Sequence, residues 1–183
     1  HPPPSRPAEP SFAYPPTAGK PQGTRNAQMK QHAVMETELG RIRLRLLPEC
    51  APVTVEYFCN LIEDGLYDNT SFYRSDFVIQ CGTHGTNKQN PRGNLPVNET
   101  KLHQVKSNTR GTCAIAHWDV PDNGNSEFFI NLQTNAHLDS AYGGYCVFAA
   151  VDEGDDESFR TVDAIAAAIP KGAKPRIARV TLA

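Results

Sequence analysis

The run Phe72-Tyr73-Arg74-Ser75-Asp76-Phe77-Val78-Ile79-Gln80-Cys81-Gly82 sets one arginine among aromatic and aliphatic side chains, with a glutamine six positions on. A guanidinium keeps its proton and offers five N–H donors, so an arginine on an apolar floor is costly unless something meets it. Side chains alternate along an extended chain. That alternation puts Phe72 and Arg74 on one side of a short strand, and Val78 and Gln80 on one side of the next. Two readings of these residues stand side by side: an arginine lying over aromatic rings as a cation–π pair, or a donor held for a ligand.

Other chemistries lack their residues. Ser126 lies in Gly-Asn-Ser-Glu-Phe, without the strand–turn–helix glycine frame of a hydrolase nucleophile. No histidine stands at i and i+4 to another, and the cysteines at 50, 59, 81, 113 and 146 have neither zinc-knuckle nor redox-dithiol spacing. The acidic run Asp152 to Glu157 lacks the alternating oxygen ligands of a calcium loop and reads as a solvated connection. No glycine-rich phosphate loop opens a helix. A site in this chain is therefore expected to work through shape, aromatic surface and the arginine, with no metal, no cofactor and no covalent intermediate.

The body that must position these residues is a single domain. The chain has 183 residues and 15 prolines, eight of them in residues 1–30 among Ser, Gly, Gln and Asn. That stretch has almost nothing aliphatic to bury and reads as a flexible proline-rich tail. The tail carries four basic residues against one acidic, and residues 31–183 carry 14 against 19. A mildly acidic body makes nucleic acid an unsuitable partner. No apolar run reaches membrane-spanning length. The odd cysteine count and the apolar setting of most cysteines predict reduced, buried thiols and a cytoplasmic chain, although a chain that begins with His1 leaves an upstream targeting segment open.

Periodicity supplies the elements. His32 to Glu38 reads as a strand, and Arg41-Ile42-Arg43-Leu44-Arg45-Leu46 alternates strictly, with one face buried and an arginine stripe in water. Pro52 fits a first helical turn, Val55, Phe58, Leu61 and Ile62 repeat at helical spacing, and Gly65 stops the helix. A long loop of turn-forming residues follows Gly82 and is expected to pack over the surface. Strands are expected at 112–117, 127–131, 146–151 and 177–182. Phe159, Val162, Ile165, Ala166 and Ile169 mark a second amphipathic helix. About eight short strands with two distant helices predict a mainly β, antiparallel barrel or sandwich.

Five separated blocks then resemble the cyclophilin family of peptidyl-prolyl cis-trans isomerases. They are Phe-x-Arg with Phe-Val-Ile-Gln-x-Gly at 72–82, Asn-Thr-Arg-Gly-Thr at 108–112, Ser-Glu-Phe-Phe-Ile-Asn at 126–131, His-Leu-Asp at 137–139 and Tyr-Cys-Val-Phe at 145–148. The resemblance covers residues 31–183 and implies an eight-stranded antiparallel barrel capped by two α-helices, with a proline groove on its outer face. It implies Arg74 as the catalytic arginine, Gln80 as its brace, and Phe77 and Phe129 as the aromatic floor. Val78 takes a place usually held by methionine. Leu138 matches the pocket leucine, Ala116 and His117 the edge that pairs with substrate backbone, and Tyr145 a position held by histidine or tyrosine.

The implied partners are proline-containing peptides and client proteins, bound by a monomer. The implied activity is accelerated rotation about Xaa-Pro bonds; a proline-peptide binding module with little turnover is the alternative. Three departures bear on that choice. Only Ser75 and Asp76 separate Arg74 from Phe77, and Asp76 is placed to pair with the arginine. Glu127 replaces a glutamine, which is expected to alter backbone recognition and to draw on Arg74. His137 replaces the tryptophan that gives tight cyclosporin binding, so weak cyclosporin affinity is expected. Trp118, the only tryptophan, reads equally as local packing or as a replacement wall.

Overall fold

In a computed structural model that describes residues 30–183, eight strands close into one antiparallel barrel. The proline-rich tail lies outside the described residues, except Lys30. The strands are β1 (His32–Thr37), β2 (Gly40–Leu46), β3 (Thr70–Ser75), β4 (Val78–Gly82), β5 (Thr112–Ile115), β6 (Phe128–Asn131), β7 (Val147–Ala150) and β8 (Arg176–Leu182). Their order around the barrel is β1-β2-β7-β5-β6-β4-β3-β8, and β1 pairs with β8 to close it. Closure removes the free edges that short strands would otherwise expose. The alternation in β2 has the expected result: Ile42, Leu44 and Leu46 enter the core while Arg41 and Arg43 face water.

Two helices pack on the barrel. Helix α1 (Pro52–Glu63) presses Phe58 against Tyr67, Phe128 and Phe148, with ring centroids 4.8–5.5 Å apart. Its N-cap residue, Ala51, has no side chain able to cap it. The fully buried Glu99 does so from the long loop, accepting from the Val53 N–H at 3.2 Å, the Thr54 N–H at 2.6 Å and the Thr54 hydroxyl at 2.7 Å. A carboxylate there meets both the unpaired amides and the positive end of the helix dipole. Gly65, at φ +70°, ends the helix as the sequence predicts.

Helix α2 (Asp156–Ala168) starts earlier than its apolar period suggests. Asp155 caps it, accepting from the Ser158 N–H at 3.1 Å and the Ser158 hydroxyl at 2.7 Å, and Asp156 and Glu157 occupy the first turn. The second half of the acidic run is thus a helix start, favoured by the dipole, and not a connection. The long loop 83–111 packs down as expected, with Leu95 and Glu99 buried. All five cysteines are free thiols, three buried and two partly buried.

Candidate active site

Two sets of apolar side chains separate inside and outside the barrel wall. On β5, Cys113 and Ile115 enter the main core, whereas Ala114 joins a smaller cluster on the outer face with Val78, Phe129 and Leu138. Phe77, Ala116 and Tyr145 pack against that outer cluster. Strand pairing sets Gln80 opposite Phe129, and Ala114 opposite Phe129 on the other side. The cluster floors a groove of about 950 Å³ whose walls also include Arg74, Gln80, Trp118, Glu127, His137 and Tyr142.

Arg74 reaches this groove because β3 is irregular. The register shifts between Phe72, which pairs with Cys81, and Arg74, which pairs with Gln80. The extra residue, Tyr73, breaks the strand's parity, so Phe72 is buried in the core while Arg74 turns outward. The expectation that Phe72 and Arg74 share a face is therefore corrected. Val78 and Gln80 do share one, and both line the groove.

The guanidinium is held from several directions. Nη1 donates to Gln80 Oε1 at 2.8 Å, Nε donates to Asp76 Oδ2 at 2.8 Å, and Cζ stands 5.4 Å from the centre of the Phe77 ring. Asp76 is itself fixed by the Val78 N–H, which donates to Oδ1 at 3.1 Å. Gln80 is 6% exposed, and its Nε2 donates to the Tyr73 hydroxyl at 2.9 Å. Burial first, and then the Glu127 charge, raise the Tyr73 pKa well above the usual phenol range. Tyr73 therefore stays a neutral phenol that accepts the amide. Two of the five guanidinium N–H groups are used, and Nη2 has no acceptor among the described residues. The cation–π pair and the held donor are one and the same arrangement.

The remaining candidates fall on the groove walls except His117, and one expectation is corrected. His117 leaves the edge to its backbone and turns its side chain away from the groove. Its ring is buried, stacks on Tyr145 at 4.0 Å, and donates from Nε2 to the Gly144 carbonyl at 2.8 Å. The ring backs Tyr145, whose hydroxyl donates to the Trp118 carbonyl at 2.9 Å. Glu127 does not draw on Arg74: Oε1 accepts from the His84 N–H and Oε2 from the Ser126 hydroxyl, both at 2.7 Å. His137 stands edge-on to Phe77 at 5.2 Å. Trp118 is 77% exposed and lines the groove, so it is wall and not packing.

Leu138 owes its place to its neighbour. Asp139 accepts from the Ser107 hydroxyl, the Asn108 N–H at 2.8 Å and the Asn108 side-chain amide at 2.9 Å. Burial alone would raise this carboxyl; the three hydrogen bonds outweigh it and hold Asp139 below the usual carboxylate range. Tyr73, Thr83, His84, Asp119, Asn123, Asn125, Ala141 and Tyr142 also line the groove and carried no periodic or motif signal. Among the described residues no group of three or more His, Cys, Asp or Glu side chains could hold a metal.

A family model described as cyclophilin type peptidyl-prolyl cis-trans isomerase matches residues 32–182. The chain belongs to this family. As a cyclophilin-type peptidyl-prolyl isomerase it is an enzyme of the isomerase class. A peptidyl-prolyl cis-trans isomerase of Acinetobacter baylyi is 35% identical over 126 residues, which span 67% of this chain and 66% of that protein. Peptidyl-prolyl cis-trans isomerase B of Escherichia coli is 35% identical over 127 residues, 66% of this chain and 77% of the relative. The chain thus spans about two thirds to three quarters of these relatives' lengths. A Cryptosporidium parvum cyclophilin type isomerase, solved in the presence of the dipeptide Ala-Pro, superposes with a TM-score of 0.66 at 20% identity. The match covers 84% of this cyclophilin and 99% of that chain, and shows the shared fold.

Proposed function

We propose that this cyclophilin accelerates rotation about Xaa-Pro bonds by donating a hydrogen bond from Arg74 to the twisted imide, without covalent chemistry. An Xaa-Pro bond turns slowly because amide resonance must be lost, at a barrier of about 18–20 kcal/mol. No bond breaks, so the enzyme need only bind the twisted form better than either planar one. In the twisted form the prolyl nitrogen regains a lone pair. The observation that carries the reading is the guanidinium fixed by Gln80 and Asp76 with Nη2 unused, in a groove floored by an apolar cluster. A preorganised donor of this kind is worth about 2.7–4 kcal/mol.

The pocket formed by Phe77, Val78, Phe129 and Leu138 grips the ring while the carbonyl side rotates. Beyond Ala114 the ladder to β7 stops, and neither the Ala116 carbonyl nor the His117 N–H has a hydrogen-bond partner among the described residues. That edge suits the backbone of an extended peptide. The Ala-Pro dipeptide with the Cryptosporidium parvum relative supports a proline-containing ligand. The Arg74–Asp76 pair favours a second reading, a proline-peptide binding module with little turnover, because Asp76 offsets part of the guanidinium charge.

Exchange spectroscopy on a short Xaa-Pro peptide separates the two readings. Accelerated cis–trans exchange at substoichiometric protein supports the isomerase. Peptide shifts without faster exchange leave the binding module.

A further inference from the structure

Glu127 is the one departure in the groove that neither the arginine nor the proline pocket explains. It immediately precedes β6, two residues before Phe129, and an extended chain sets it about 6.8 Å from Phe129 along the groove they both line. Small residues flank it: Gly82 on the β4 side, and Ala116, whose N–H donates to the Glu127 carbonyl at 2.9 Å. A Cβ on Gly82 would sit 2.3 Å from Glu127 Oε1, and Gly82 has φ +151°, so the glycine leaves the space in which the carboxylate lies.

The carboxylate is fixed but not neutralised. Its two anchors, the His84 N–H and the Ser126 hydroxyl, are neutral donors. An ionised carboxylate offers about four acceptor sites, which leaves two for a ligand. No lysine or arginine of the described residues pairs with it, and the one arginine in the groove is engaged by Asp76. Asp119 is a second acid on the groove wall, which the amides of Asn123 and Asn125 also line.

We infer that this groove selects peptides bearing lysine or arginine two residues from the proline, with Glu127 accepting from the basic head group; the selection rests on the groove being the isomerase site. The spacing follows from strand geometry, because an extended peptide repeats its side-chain direction every two residues at the pitch that separates Phe129 from Glu127. The basic stem lies over the low wall at Ala116, and the charged head meets an acceptor already oriented. Acidic peptides meet the Glu127 carboxylate and are disfavoured.

The test is a series of short single-proline peptides in which lysine, glutamine or glutamate is placed at each of the three positions on either side of the proline. Exchange rates and shift-titration affinities are measured for the wild type and for Glu127→Gln. The expected result is a kcat/KM ratio of lysine to glutamine of about three- to tenfold at a second-residue position, growing as salt is lowered. In Glu127→Gln that ratio falls to about one. Equal use of lysine and glutamine peptides by the wild type, or the same ratio in both proteins, overturns the inference while catalysis of the glutamine reference leaves the isomerase reading intact. If no peptide is turned over, the isomerase reading falls, and the affinity ratio decides the selectivity by the same criterion. Glu127→Lys gives a further check, since it should prefer the glutamate peptides.

Discussion

Replacing Gln80 by alanine tests how the arginine is held. Gln80 is 6% exposed and bonds Arg74 on one side and Tyr73 on the other. A hydrogen bond to a charged group is worth about 1.5–3 kcal/mol net. After truncation the guanidinium keeps the Phe77 ring and a single hydrogen-bond partner, Asp76, through a pair whose side chains are 40% and 44% exposed. An exposed pair of that kind holds with about 0–1 kcal/mol. Gln80→Ala should therefore lower kcat/KM by roughly 10- to 150-fold, mostly in kcat, with the lower end set by what Asp76 retains. The assay is peptide exchange by NMR, with an amide spectrum of the variant to show that the barrel stays folded. Because Gln80 acts through Arg74, adding Gln80→Ala to Arg74→Ala should cost less than about twofold more. A folded Gln80→Ala variant within about twofold of the wild type would refute this reasoning, as would an equal loss in the Arg74→Ala background.

Other consequences are open to measurement. Phe129→Ala removes the floor of the outer cluster and should lower stability by about 3 kcal/mol in chemical denaturation, together with proline-peptide affinity in shift titrations; unchanged affinity would move the proline elsewhere. His137→Trp should raise cyclosporin affinity above the weak binding expected of the wild type, read by calorimetry. Acid should destabilise the fold through Asp139. Its folded-state pKa lies below the usual carboxylate value, so its contribution is fully present above the unfolded value and is lost as pH falls through the folded one. The melting temperature should hold from pH 7 to about pH 5 and drop below about pH 4. Asp139→Asn should fall less steeply over the acid window; an identical slope would show that other carboxylates set it.

Much of this molecule is legible in its sequence where the signal is local. The arginine–aliphatic alternation of β2 and the Pro52-to-Gly65 apolar period give a strand and a helix directly. The five cyclophilin blocks name the groove residues, and Arg74, Gln80, Phe129 and Leu138 do come together. What local reading misses depends on partners far along the chain. The bulge at Tyr73 appears only when β3 is paired with β4, and it reverses the parity that alternation assigns to Arg74. His117 turns inward because the Gly144 carbonyl and the Tyr145 ring, about 27 residues on, receive it. Glu127 turns from the arginine because Gly82 and the His84 amide offer a nearer seat. The cap of α1 by Glu99, 45 residues past Thr54, is equally invisible to a short window.

Arg74→Ala, examined by exchange spectroscopy on an Xaa-Pro peptide, tests the central claim most directly. The account predicts that catalysed exchange falls by roughly 100- to 1000-fold, while the variant stays folded and still binds the peptide. Exchange within about threefold of the wild type in a folded Arg74→Ala protein would contradict it.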